Sequence, residues 1–335
     1  VTGSGVPYSE GVMRGLLPLR WVIVLPAMII NSFISFIAGI PLGSEGPSVL
    51  IGSCIGAGSN DVTINGNKPR LAWKRQSITG GASAAFAVAF NAPLAGIIFA
   101  LEEIHKRFSP MILLPASASV IVASITANGL TALTGHGISE VIFTEFEMLA
   151  EPTLRELPFL ALLGVMMGLF SVFFILLYNA VASGMNKIKV PVIVKIISAF
   201  LLTGVAGLLV TDSIGSGGNL IRKIALMKTE WKLLLLILAI KLVLVTFCSN
   251  GGVTGGLFFP ILAIGAIFGG LTAKLFILMG MSDKYYNMIV LISMCAFLGG
   301  VMRSPITAVV LIIEMTDTLT ADLWATCFVI LLAYF

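Results

Sequence analysis

Residues 43–47 read Gly-Ser-Glu-Gly-Pro, and residues 256–260 read Gly-Leu-Phe-Phe-Pro. Each pentad interrupts an apolar stretch. Proline lacks an amide hydrogen and is favoured at the first helical position, so Pro47 and Pro260 each mark a helix start. The pentads lie 213 residues apart (256 minus 43). Two more pairs recur at an offset of 212. Gly3-Ser4-Gly5 matches Gly215-Ser216-Gly217, and Phe90-Asn91-Ala92-Pro93 (leading to Glu102) matches Met302-Arg303-Ser304-Pro305 (leading to Glu314). Three matches in one order at a steady spacing indicate an internal repeat. Paired halves with Gly/Pro-interrupted helices are the pattern of a secondary-transporter fold, whose site is expected near the membrane midplane where the halves meet.

The repeat divides the chain into 1–140 and 155–335. The second repeat carries about 57 residues, from roughly Pro158 up to Gly215, ahead of its Gly-Ser-Gly, where the first has two. The counterpart of Ser139 would fall past Phe335. The chain is therefore expected to be cut at both ends, and no signal peptide is visible.

Composition agrees with a membrane protein. Of 335 residues, 58% are hydrophobic and 11% charged, and 35 are glycine; soluble domains carry about 25% charged residues. Mean hydropathy is +1.05. These values exclude a soluble enzyme, a nucleic-acid-binding domain and a disordered chain. They imply an all-α polytopic membrane protein lying among lipid. Runs 21–42, 76–101, 157–186 and 242–273 hold no Asp, Glu, Lys or Arg, and 108–139 holds only His136 as a titratable residue. Runs 46–60 and 304–313 are too short to span. They imply helices that begin or end inside the membrane, which is tolerated only where the backbone is buried or lines a watery cavity.

Basic residues orient the chain. Lys68, Arg70, Lys74 and Arg75, and the cluster His105-Lys106-Arg107, are expected in the cytoplasm. The acidic stretch with Glu140, Glu145, Glu147, Glu151 and Glu156 is expected outside. Lys195, Lys241 and Lys274 lie near run ends and read as snorkelling to the interface. Cys54, Cys248, Cys295 and Cys327 read as small buried hydrophobes.

The motifs suit an anion. A helix start exposes free N–H groups and the positive end of the macrodipole, and glycine lets backbone approach a ligand. Such starts bind an anion without a basic side chain that would hold it too tightly for transport. The alternative is that they are kinks at close helix crossings, helped by the pairs Gly52/Gly56 and Gly265/Gly269. Glu45 lies inside the first pentad. Burial favours its neutral form and nearby amides its charged form, so it is poised to titrate. Glu102 and Glu103 end a charge-free run beside the basic cluster, where charge pairing is the plain alternative. Glu314 shares the place of Glu102 in the second repeat, and Met315 stands where Glu103 does.

Gly3-Ser4-Gly5-Val6-Pro7, Gly43-Ser44-Glu45-Gly46-Pro47 and Gly256-Leu257-Phe258-Phe259-Pro260 resemble the three anion-site signatures of the CLC chloride channel/transporter family. Ala92-Pro93-Leu94-Ala95-Gly96 through Glu103, and Ser304-Pro305 through Asp317, are also similar. The resemblance covers nearly the whole chain. It implies two inverted repeats per subunit and a homodimer with one pore in each. It implies that Ser4 gives its hydroxyl to a central chloride, together with the amides of Leu257 and Phe258. The turn of Gly43, Glu45 and Gly46 would form an outer site, with Gly256 in the third signature. Glu45 would be the gating carboxylate and Glu103 the inner proton-transfer acid. Two such acids favour chloride/proton exchange, and Ser4 in place of proline favours chloride over nitrate. Ser44 departs from the basic residue usual before the gating glutamate, and the family's central tyrosine falls beyond Phe335.

Three functions compete. Chloride/proton antiport rests on Glu45 and Glu103; chloride and protons are then the only partners besides lipid and a second subunit, with no cofactor and no nucleic acid. A passive voltage- or pH-gated chloride channel would use the same scaffold without proton exchange. A membrane-embedded hydrolase has little support: no His-Glu-x-x-His is present, and neither Gly-Ser-Gly has the context of a nucleophile elbow. A bacterial inner membrane is the expected location.

Overall fold

The computed structural model describes residues 3–63, 71–135, 142–146, 151–227, 229–317 and 323–335. Lys68, Arg70, His136, Glu140 and Glu147, used above for orientation, lie outside the described residues. Among the described residues there are fourteen α-helices and no strand. The chain forms two compact units: Val1–Ile37 with Ser44–Ile142 and Thr254–Gly256, and Ala38–Gly43 with Phe143–Val253 and Leu257–Phe335.

The first unit contains α1 (Val6–Met13), α2 (Trp21–Ile37), α3 (Glu45–Thr63), α4 (Leu71–Phe90), α5 (Pro93–Phe99) and α6 (Pro110–Thr134). A π-helical turn, Ala100–Ile104, follows α5. The second unit contains α7 (Leu157–Lys187), α8 (Val192–Leu209), α9 (Gly218–Ala225), α10 (Trp231–Asn250), α11 (Phe258–Leu278), α12 (Tyr286–Met302), α13 (Pro305–Thr316) and α14 (Leu323–Tyr334).

The repeat is written in the backbone. Asn91 and Arg303, 212 residues apart, both turn left-handed (φ 47° and 59°) where α4 and α12 end. Ala92 and Ser304 follow with φ/ψ of −133°/79° and −130°/71°. Extended backbone is what a residue before proline prefers, so each X-Pro ends one helix and starts the next. Pro93 and Pro305 are first helical residues, as the sequence suggests. Pro47 and Pro260 are not: α3 begins at Glu45 and α11 at Phe258, two residues earlier. The first turn of a helix leaves its amides without intrahelical partners, so proline fits anywhere in it. The shift makes Glu45 itself the first residue of α3.

Six helices among the described residues, α6, α7, α8, α10, α11 and the one ending at Met302, are long and apolar enough to cross a membrane. Their outer faces are hydrophobic. On α8, Ile193, Ile197, Leu201, Val205 and Leu208 recur at helical spacing and are all exposed, while Ala199, Thr203 and Ala206 are buried. Exposed apolar stripes of this length belong against lipid. The protein is an integral, multi-pass membrane protein. The core of the second unit is α11 and α12, whose buried faces include Ile261, Ile264, Ile267, Met294 and Phe297.

Two readings of the sequence need correction. Lys241 does not snorkel: it is 0% exposed, and its ammonium donates to the carbonyl of Gly215 at 3.1 Å. Lys195 and Lys274 reach the carbonyls of Met185 (2.6 Å) and Thr229. Cys54, Cys248 and Cys295 are buried as expected, but Cys327 is exposed on α14.

Candidate functional site

The start of α1 is built for close approach. Gly5 caps the helix in a left-handed conformation (φ 81°), and its carbonyl accepts from Ser9 N at 2.9 Å. A side chain at Gly5 would meet the Gly46 carbonyl oxygen at 2.6 Å and Leu50 Cβ at 3.0 Å. A methyl at Gly46 would overlap the Ser4 carbonyl and come 2.7 Å from the Ser4 hydroxyl and 2.9 Å from Gly256 Cα. One at Gly256 would come 2.5 Å from Glu45 Cδ and Oε1 and 2.6 Å from Gly46 N. Three glycines therefore let three remote backbone segments touch: Ser4-Gly5, Glu45-Gly46 and Gly256. The Ser53 hydroxyl on α3 donates to that of Ser9 on α1 at 3.1 Å and fixes the two helices together.

Glu45 is at the centre of this cluster and only 1% exposed. It is the first residue of α3, and the first amide bonded within that helix is Ser48's, to Ser44 O at 2.9 Å. The carboxylate thus lies at the positive end of a helix, where negative charge is stabilised. The same end suits a small anion, so carboxylate and anion would compete for one place. The structure brings Ser4, Glu45, Gly46 and Gly256 together within the first unit.

Gly43, Leu257 and Phe258 belong to the second unit. Gly43 is buried. Leu257 is the N-cap of α11 (φ −103°, ψ −13°), and its carbonyl accepts from Ile261 N at 2.9 Å. Phe258, the first residue of α11, is buried.

Glu103 lies on the π turn with Glu102, and both are half-buried. The turn is defined by His105 N donating to Ala100 O at 3.1 Å, a bond spanning five residues. Phe99 stacks on Phe86 of α4 at 4.1 Å between centroids and anchors the segment. Glu314, the counterpart of Glu102, sits in an uninterrupted α-helix, and Met315 at the Glu103 place is buried. Single π turns recur at functional sites. Nothing in the sequence pattern marks this one, because the choice between α and π bonding depends on packing.

Sequence reasoning also missed the neighbours of His105. Its Nε2 is 2.8 Å from Thr79 Oγ1 of α4, and Thr79 lies 3.5 Å from Met13 Sδ of α1. Burial first, and then the positive charge of Arg14, hold the imidazole below its usual 6.5. Glu10 links Arg14 (2.5 Å) and Lys106 (3.7 Å) beside it. Asp61, at the end of α3, accepts from Lys74 at 2.8 Å and from Trp21 Nε1 at 2.9 Å.

A family model described as voltage gated chloride channel matches residues 1–335. The chain belongs to the CLC family of voltage-gated chloride channels. Among curated CLC relatives, the H(+)/Cl(−) exchange transporter ClcA of Vibrio parahaemolyticus is 31% identical over 321 residues, covering 94% of this chain and 67% of that protein. ClcA of Vibrio cholerae is 30% identical over 326 residues, with the same coverage. Of solved CLC structures, a slow cyanobacterial Cl−/H+ antiporter superposes with a TM-score of 0.86 at 29% identity, covering 99% of this chain and 77% of the other. A CLC-type fluoride/proton antiporter shares the fold, with a TM-score of 0.78 at 22% identity over 99% of this chain and 79% of its own.

Proposed function

We propose that this CLC chain moves chloride across a membrane in exchange for protons. Glu45 is the gating carboxylate and Glu103 the inner proton acceptor. The observation that carries this reading is the buried Glu45 carboxyl at the first residue of α3, packed against Gly256 and beside the Ser4 segment. A charged carboxylate at that helix end occupies the place a chloride would take, and protonation removes its claim on the amides. Proton binding and anion entry are thereby linked at one group. The Ser4 hydroxyl is the side-chain donor to the anion. In the first unit the Gly46 amide is a proposed backbone donor; in the second unit the proposed donors are the amides of Leu257 and Phe258, and Gly43 is assigned to the outer anion site. Glu103, on the π turn after α5, supplies a second exchangeable site for the proton. The exchanger names of the ClcA relatives and of the cyanobacterial structure support the same chemistry. The working protein is a homodimer in a bacterial inner membrane.

The test is reconstituted flux. A chloride gradient across liposomes is expected to drive protons uphill, read by a pH electrode. Glu103→Gln is expected to leave chloride flux within a few-fold and abolish the proton movement. Protons still driven uphill by Glu103→Gln would remove Glu103 from the pathway. A wild-type reversal potential indifferent to pH would make the protein a passive anion channel instead.

A further inference from the structure

Lys241 is a buried lysine inside a membrane-spanning helix, and the transport reading above gives it no task. Ionisable groups at that depth are functional by default. Its ammonium donates to Gly215 O at 3.1 Å. Gly215-Ser216-Gly217 is the second repeat's copy of the Ser4 signature, and it leads into α9. A side chain on Gly217 would meet Lys241 Nζ at 3.4 Å and would overlap Ala263 Cβ of α11. Ammonium, turn and α11 are therefore stacked in contact, within one unit. Gly217 can sit between them because it has no side chain and takes φ 105°. Ala263 is five residues beyond Phe258, roughly 7.5 Å along the helix from its start.

A carbonyl partner orients an ammonium without cancelling its charge. Among the described residues, the carboxylate electrostatically coupled to Lys241 is that of Asp212, which Lys223 already holds at 2.5 Å. When protonated, Lys241 thus places a positive charge beside the helix whose first amides are the proposed chloride donors.

We infer that Lys241 is an affinity-determining residue: a fixed positive charge that raises the affinity of the α11 start for a monovalent anion without touching it. It is a positioning and field-setting group, not a ligand, and the inference rests on the chloride reading given above. Over roughly 12 Å in a medium of effective dielectric about 20, one charge changes anion binding about tenfold. A directly coordinating ammonium would bind far more tightly and slow release. The second repeat would then hold a built-in cation at the turn whose first-repeat copy holds Ser4.

The experiment separates charge from hydrogen bonding. Chloride binding to the purified full chain is measured by titration calorimetry for wild type, Lys241→Gln, Lys241→Met and Lys241→Arg. Gln keeps a donor for Gly215 O but loses the charge, and Arg keeps both. Affinity is expected to fall roughly tenfold for Gln and Met and to stay within about twofold for Arg. Wild-type affinity in Lys241→Gln would overturn the inference, since a purely structural donor explains that result. Should the Gln and Met variants fail to fold, Asp212→Asn replaces them. Removing that acid is expected to tighten chloride about two- to threefold, and unchanged affinity sinks the idea. Wild type that binds no chloride takes down the transport reading itself, a result distinct from either.

Discussion

A single methyl group is enough to probe the centre around Glu45. The position of a Cβ on Gly256 is 2.5 Å from the Glu45 carboxyl, well inside van der Waals contact. Gly256→Ala must displace either the carboxylate or the Gly46 backbone. We expect chloride flux from liposomes to fall at least tenfold while helical content by circular dichroism is unchanged. Near-normal flux would mean that Glu45 does not need its present place. His105 gives a second prediction at this scale. Its folded value is held below 6.5 by burial and by Arg14. The unfolded chain then takes up a proton first as pH falls through about 6.5, and the contribution of neutral His105 to stability, complete above that pH, is lost below it. The thermal midpoint is expected to drop on acidification from about pH 7.5 to about 5.5. His105→Gln, which keeps a partner for Thr79, is expected to flatten that drop; an equal drop in both proteins would exclude His105 as the source.

Among the elements, glycine decides how near helices come. Gly52 on α3 and Gly81 on α4 each lie against the other's carbonyl. On α11, a side chain at Gly269 would meet Ser293 Cβ at 2.6 Å and Val290 Cα at 3.0 Å of α12. Both pairs of helices pack backbone to backbone, the arrangement that membrane helices reach with small residues. Gly52→Ala and Gly269→Ala are each expected to destabilise by about 1–3 kcal/mol, the usual cost of overpacking. A methyl on Gly204 of α8 would meet nothing within 4 Å, so Gly204→Ala is expected to be neutral or to stabilise by up to about 1 kcal/mol. Thermal melts of the three in one detergent check the ranking. The small-residue alternative raised from the sequence therefore holds for the helix crossings. It does not compete with a role for the helix starts, because the glycines that cradle Glu45 are different ones.

For the whole molecule, the solvent is lipid. Leu201 is exposed on the outer stripe of α8. Leu201→Arg is expected to cost about 2.5–3.5 kcal/mol of membrane insertion and to lower the inserted fraction in a membrane-fractionation assay, whereas Leu201→Phe leaves it unchanged. Equal insertion of both would argue that α8 faces protein or water. The membrane class and the repeat were legible from the chain alone, since hydropathy and Gly/Pro spacing are local and add up along it. Asn91-Ala92-Pro93 and Arg303-Ser304-Pro305 announce their helix breaks because proline restricts the residue before it, whatever surrounds it. The neighbours of each site residue were not legible in that way. That Gly256 rests on Glu45, that Lys241 is sealed under Gly215 and not at an interface, that Ala100–Ile104 bonds as a π turn and that His105 meets Thr79 all depend on segments far apart in the chain. Such contacts are set by packing, and packing is a property of the folded ensemble of side chains that no window of sequence contains.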